Sequence, residues 1–230
     1  MTDRTLPTDF SMRRTPRQQR SQDAMRKIEQ ATLALLAEHG YPALNTNAIA
    51  ARAGVGIKSL YHLFPNKEAI ICRLASGWLE AVNQAKEELR QQDLPLPALL
   101  DAVDAALDAL DEQFGGYGPL WQVMDLVPAL AELEARHEAR QVAYWSERLQ
   151  YYGCRWPQAE LAALALYFYR MSDTGKQYAK ESGAAGHGLW QLHRQWLLWL
   201  LQRAIAEPDP VRVWPDGQPP MYCIVPTSRS

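Results

Sequence analysis

Cysteine is scarce in this chain, and what there is cannot staple it or clamp a metal. Cys72, Cys154 and Cys223 are the only three in 230 residues, far apart and odd in number. Neither a disulfide framework nor a zinc ligand set can be built from that spacing, and a reducing cytoplasm is the default compartment. A run of about 18 apolar residues, the least that spans a bilayer, is also missing. The polar, basic start lacks the apolar stretch of a secretory signal. No Gly-x-Ser-x-Gly elbow, phosphate-cradling glycine loop or His-Glu-x-x-His pair occurs. The five histidines, at 39, 62, 137, 187 and 193, do not meet cysteines or acids at ligand spacing. His137-Glu138, with Glu134 a turn before, reads as a solvated face of alternating charge. No catalysis, metal or cofactor is therefore expected.

What is present points elsewhere. Residues 1–67 hold ten basic and five acidic side chains, a net of +5, whereas the remainder carries −7. A basic end on an acidic body is the electrostatic footprint of a nucleic-acid-binding head joined to a separate domain. Apolar residues then recur at three- and four-residue steps along most of the chain, the helical period. The segment from Gln18 carries Ala24, Ile28, Ala31 and Leu35 and stops at Gly40, with Pro42 just beyond. Short helices are expected at 46–53 and 57–63, the first capped by Asn45 or Thr46. A long one capped by Asn66 follows, from Lys67 to about Gln91. Further helices are read at 97–113, 119–127, 128–152, 157–181 and 189–206, with Ser182–Gly188 and its three glycines as a loop. About nine helices and no confident strand make the class all-α. The expected organisation is a flexible basic arm at 1–17, a DNA-binding domain at 18–66, a helical domain at 67–206 and a Pro-rich tail at 207–230.

Residues 46–64, TNAIAARAGVGIKSLYHLF, have the parts a helix-turn-helix needs: two short helices, a tight turn with glycine, and apolar residues that brace one helix on the other. Ile49, Ala50, Ala53, Val55, Leu60 and Phe64 form the bracing set. Gly54 stands where the turn calls for a positive φ. That leaves Gly56, Ile57, Lys58, Ser59, Tyr61 and His62 for a DNA groove. Lys58 is the best candidate for a guanine edge, because an ammonium donates well to its acceptors. The arm arginines Arg13, Arg14, Arg17 and Arg20 either reach a minor groove or simply add charge.

The run AARAGVGIKSLYHLFPNKEAI resembles the N-terminal domain of the TetR/AcrR family of transcriptional regulators. Ile49-Ala50, Ala53-Gly54-Val55, Ser59-Leu60-Tyr61, Phe64-Pro65 and Lys67-Glu68 carry the likeness, which extends over about residues 24–74. The resemblance implies a DNA-binding regulator that acts as a homodimer on double-stranded DNA and, in most members, represses until a small molecule binds. It assigns DNA contact to Thr46, Asn47, Gly56, Lys58, Ser59, Tyr61, His62 and Lys67. Two departures stand out. Gly56 occupies a position where the family commonly has Ser or Thr, and Leu63 replaces a frequent aromatic.

The rest of the chain shares only the expected architecture. Leu189, Leu192, Trp196, Trp199 and Leu200 make one stripe on the last helix, and Leu197, Leu198 and Leu201 make another. Leu161, Leu164, Phe168 and Met171 line one side of the helix before it, with Tyr167, Arg170, Thr174 and Tyr178 on a second. Helices apolar on two faces are buried on two faces. A homodimer through Tyr167, Trp196 and Trp199 follows as an expectation. The resemblance also implies an effector pocket, for which Phe114, Trp121, Met124, Tyr144, Phe168 and Met171 are the candidate lining residues, and their character would make the effector apolar or aromatic. A helix-turn-helix protein that organises DNA or takes a protein partner, with no small effector, is the alternative.

Overall fold

In the computed structural model, the structure describes residues 19–113 and 127–210, together with Met12, Leu120 and Val123. These residues form eight helices and no strand: α1 (Gln19–Ala43), α2 (Thr46–Ala53), α3 (Ile57–Leu63), α4 (Lys67–Arg90), α5 (Leu96–Gln113), α6 (Pro128–Tyr151), α7 (Gln158–Glu181) and α8 (Gly183–Ala206). Leu120 and Val123 are also helical, inside the segment read as a ninth helix. Arg13, Arg14 and Arg17, the pocket candidates Phe114, Trp121 and Met124, and the tail beyond residue 210 lie outside the described residues. The chain divides into two compact units, 1–137 and 138–230, with the division inside α6.

The first unit is built around α1 and α4. Ile28, Ala31, Leu35 and Leu36 on α1 meet Ile70, Ile71, Leu74, Ala75 and Trp78 on α4, and α2 and α3 close over them with Ile49, Ala53, Leu60 and Phe64. Helices α2 and α4 begin where the sequence provides a cap. Asn45 Oδ1 accepts from the Ala48 amide at 2.9 Å, and Asn66 Oδ1 accepts from the Ala69 amide at 2.7 Å. Such caps satisfy amides that the first turn leaves without a helical partner. Gly40, at φ 68°, kinks the end of α1 before Pro42. Gly54, at φ 62°, turns the chain out of α2. Both values lie in the left-handed region that glycine enters at no steric cost.

The second unit holds the rest of α6 with α7 and α8. Trp145 lies buried against Phe168, ring centroids 4.6 Å apart and edge to face, and Leu149, Leu161, Leu164, Leu197 and Leu201 complete that core. The loop between α6 and α7 is tied to the end of α8. Cys154 Sγ donates to the Ala204 carbonyl at 3.4 Å, and Trp156 Nε1 donates to the Glu207 carbonyl at 2.7 Å.

Two expectations are corrected here. Ser182–Gly188 is not a loop: α8 begins at Gly183, and only a single turn separates it from α7. Gly186 serves packing instead, since a Cβ there would lie 2.5 Å from the Ala179 carbonyl oxygen. Gly175 similarly admits the His193 ring, whose Cδ2 would sit 2.7 Å from an added Cβ. The face read as solvated at His137-Glu138 is so only in part. His137 is buried, and Glu138 accepts from Arg170 Nε at 2.7 Å and Nη2 at 3.0 Å. Gln141, Ser146 and Arg148 are buried on the same helix, so its inner side is more polar than the sequence suggested. Arg148 lies over the Tyr151 ring at 4.4 Å and donates to the Tyr152 hydroxyl at 3.2 Å.

Candidate nucleic-acid interface

The local sequence of α3 sorts its side chains into two sets. Leu60 and Leu63 are buried, as is Phe64 just after the helix. Their spacing of three and four residues places them on one side. Lys58, Ser59, Tyr61 and His62 are exposed. Ile57, left free for a groove by the sequence reading, is half-buried against the core instead. Leu63, noted only as a departure, turns out to be a core residue.

Helix α2 braces α3 through Ile49, Ala50 and Ala53, all buried, with Val55 packed half-buried in the turn. The Gly54 amide bonds to the Ala51 carbonyl and the Val55 amide to the Ala50 carbonyl, closing the turn. Gly56 is the N-cap of α3 and supplies no side-chain hydrogen bond, as expected of a residue without a hydroxyl. Its carbonyl still accepts from the Ser59 and Leu60 amides at 2.8 and 3.1 Å.

Thr46 and Asn47 begin α2, Asn47 exposed and Thr46 half-buried. Thr46 Oγ1 lies 2.9 Å from the Tyr61 hydroxyl, so the two helices meet through a polar contact as well as through the core. Sequence spacing gave no hint of this bond, since fifteen residues separate the partners.

Lys67 is placed differently from the others. Its Nζ donates to the Leu44 carbonyl at 2.9 Å and to the Tyr41 carbonyl at 3.5 Å, and it lies 4.1 Å from the Tyr41 ring centroid. The neighbouring Glu68 accepts from the Tyr41 hydroxyl at 3.0 Å. Burial, together with that bond, pushes the Tyr41 hydroxyl up to about 12. Burial and the Glu68 charge likewise push the Cys72 thiol up to about 11, so Cys72 stays a thiol at neutral pH and is not an activated nucleophile. The start of α4 thus grips the corner between α1 and α2. Tyr41 and Glu68 are the residues sequence reasoning did not single out as a pair.

Charged contacts stiffen the same unit. Arg52 on α2 makes a bidentate pair with Glu38 on α1, at 2.6 and 3.1 Å, and the guanidinium lowers the Glu38 carboxyl below its ordinary value. Arg73 on α4 faces Glu29 on α1 at 3.4 Å. Burial outweighs that attraction and raises the Glu29 carboxyl.

Of the pocket candidates that are described, Phe168 is buried, while Tyr144 and Met171 are half-buried. Of the dimer candidates, Tyr167 and Trp196 remain 41% and 40% exposed and meet each other edge to face at 6.1 Å. Trp199 is half-buried. No group of three or more His, Cys, Asp or Glu side chains is placed to hold a metal among the described residues. None of their helices is long and apolar enough to cross a membrane.

Residues 28–74 match the family model described as bacterial regulatory proteins, tetR family. No curated protein matches the chain. Among solved structures, a TetR-family transcriptional regulator from Marinobacter aquaeolei VT8 is similar, with a TM-score of 0.59 and 19% identity, over 82% of this chain and 94% of that one. A TetR-family transcriptional regulator from Streptomyces coelicolor is similar with a TM-score of 0.55 and 25% identity, over 80% of this chain and 98% of that one. The family match lies on the helices that build the helix-turn-helix, so residues 28–74 match the tetR-family DNA-binding domain, and the chain as a whole shares the fold of these two TetR-family regulators.

Proposed function

We propose that the protein is a homodimeric repressor that leaves a palindromic operator when a small, largely apolar effector binds. The observation that carries the DNA-reading part is the division of α3: Leu60 and Leu63 are buried, and Lys58, Ser59, Tyr61 and His62 stand outward. Those four, with Gly56 at the helix start and Thr46 and Asn47 on α2, make the contact surface. Lys58 reads a base edge, and the Ser59 hydroxyl and the α2 start meet phosphates. Lys67 has a double role. Two of its three donors hold the carbonyls of Tyr41 and Leu44, and the third is directed to phosphate.

Dimerisation through α7 and α8 is supported by an exposed apolar face. Tyr167 and Tyr178 on α7, and Leu189, Leu192 and Trp196 on α8, are the large apolar residues left in solvent there, Leu192 at 65%. An apolar stripe of this kind, beside the buried stripe on the same helices, suits a self-complementary four-helix interface. Two recognition helices then enter successive major grooves about 34–36 Å apart. The ring-rich second unit favours an aromatic or apolar effector, which shifts the population to whichever state it binds better. A cytoplasmic location follows from work on chromosomal DNA.

The test is titration of the purified full-length protein with duplex DNA flanking its own gene. Tight, salt-sensitive and sequence-selective binding is expected. Equal affinity for that DNA and for a scrambled duplex would refute the reading.

A further inference from the structure

We infer that Thr46 and Tyr61 act as one unit, in which the Tyr61 hydroxyl orients the Thr46 hydroxyl toward a DNA phosphate. This rests on the DNA-contact surface proposed above, and it makes Tyr61 a positioning residue for Thr46.

Three observations carry it. The two oxygens are 2.9 Å apart, a good hydroxyl–hydroxyl distance. Tyr61 stands on α3 at 41% exposure, and Thr46 is the first residue of α2, so the bond spans the two helices that must enter DNA in a fixed relation. The Asn45 side chain already caps α2 through the Ala48 amide, so the Thr46 hydroxyl is not needed as the cap.

The chemistry then has a direction. Two hydroxyls hold two hydrogens, and one of these lies between them. Phosphate oxygens only accept. Once the Thr46 hydrogen is given to the phosphate, Thr46 Oγ1 is left to accept, and the Tyr61 hydroxyl is the donor of the pair. Donation into Thr46 polarises its own O–H and strengthens the outer bond. Neither residue carries charge, so the pair adds affinity without releasing a counterion.

The test is a double-mutant cycle on the full-length protein. The probe is a duplex enriched from random-sequence DNA by the wild-type protein. Thr46→Val should weaken binding about tenfold, as expected for a lost bond to a charged acceptor. Tyr61→Phe should weaken it about three- to tenfold. The double variant should match Thr46→Val within about twofold, because the hydroxyl removed from Tyr61 is proposed to reach DNA through Thr46. Thr46→Ser should restore affinity to within about twofold. The slope of log affinity against log salt should be unchanged in all four variants, whereas a distorted head would lose cationic contacts and flatten it. Losses that multiply in the double variant, failure of Ser to rescue, or a flattened slope would each overturn the inference. If the wild-type protein enriches no duplex at all, the DNA-contact reading itself fails, which is a separate result.

Discussion

Gly56 is where single-residue chemistry is most open to improvement. It caps α3 without a side-chain bond, at φ −65° and ψ 139°, angles any residue can adopt. An added Cβ would meet only the Ser59 Oγ, at 3.8 Å. Gly56→Ser should therefore raise stability by about 0.5–1 kcal/mol, by supplying a cap and reducing the freedom of the unfolded chain. Thermal unfolding checks this, and a lowered midpoint would contradict it. The buried and exposed members of α3 should separate just as clearly. Leu60→Ala should cost about 2–5 kcal/mol of stability. Lys58→Ala should change stability by less than about 0.5 kcal/mol yet alter base preference. Lys67→Met should do neither alone: it should lower stability through the lost carbonyl bonds and weaken binding to every sequence. The raised Tyr41 hydroxyl has a pH consequence. Its folded value lies above the unfolded one, so its contribution is complete below about 10 and is lost as pH rises toward about 12. Tyr41→Phe should flatten stability in that alkaline window, as read by chemical denaturation at stepped pH.

At the scale of elements, the sequence was most legible where local chemistry decides. Asn45, Gly54 and Asn66 mark boundaries through caps and a positive φ, and these follow from the side chain in its immediate setting. The buried set of α2 and α3 was legible for the same reason, since spacing of three and four residues fixes a face. The start of α8 was not legible. Gly183, Gly186 and Gly188 read as loop residues because glycine weakens an isolated helix, but here α7 lies so close that a side chain at Gly186 would strike the Ala179 backbone. Tertiary packing overrides propensity there. Gly186→Ala should thus destabilise the α7–α8 pair although alanine is the better helix former, whereas Gly188→Ala, with nothing within 4 Å, should be neutral or stabilising. Equal effects at the two positions, measured by denaturant unfolding, would contradict the packing account. Long-range polar contacts were equally hidden. The Thr46–Tyr61 and Tyr41–Glu68 bonds join residues 15 and 27 positions apart, and no spacing rule connects them. The inner polarity of α6, with Gln141 and Arg148 buried, was obscured by the charged residues that alternate with them along the helix.

At the scale of the whole molecule, the account joins a basic head to a pairing surface. The exposed face of Tyr167, Leu192 and Trp196 predicts a dimer. Trp196→Glu should place a charge in its middle and shift the mass in solution toward the monomer, as read by sedimentation. It should also weaken binding to a two-half-site duplex far more than to a single half-site, because the second head no longer adds to the first. An unchanged mass would remove α8 from the interface. The central claim is narrower: residues 46–67 read DNA. Its most direct measurement is the salt dependence of binding by the full-length protein and by Lys58→Ala, each titrated against the enriched duplex and against a scrambled one. The account predicts that the wild-type protein prefers the enriched duplex at every salt concentration and loses affinity linearly in log salt. It also predicts that Lys58→Ala loses most of that preference while retaining salt-sensitive binding to both duplexes. A wild-type protein that binds both duplexes alike, or a Lys58→Ala variant with undiminished preference, would contradict it.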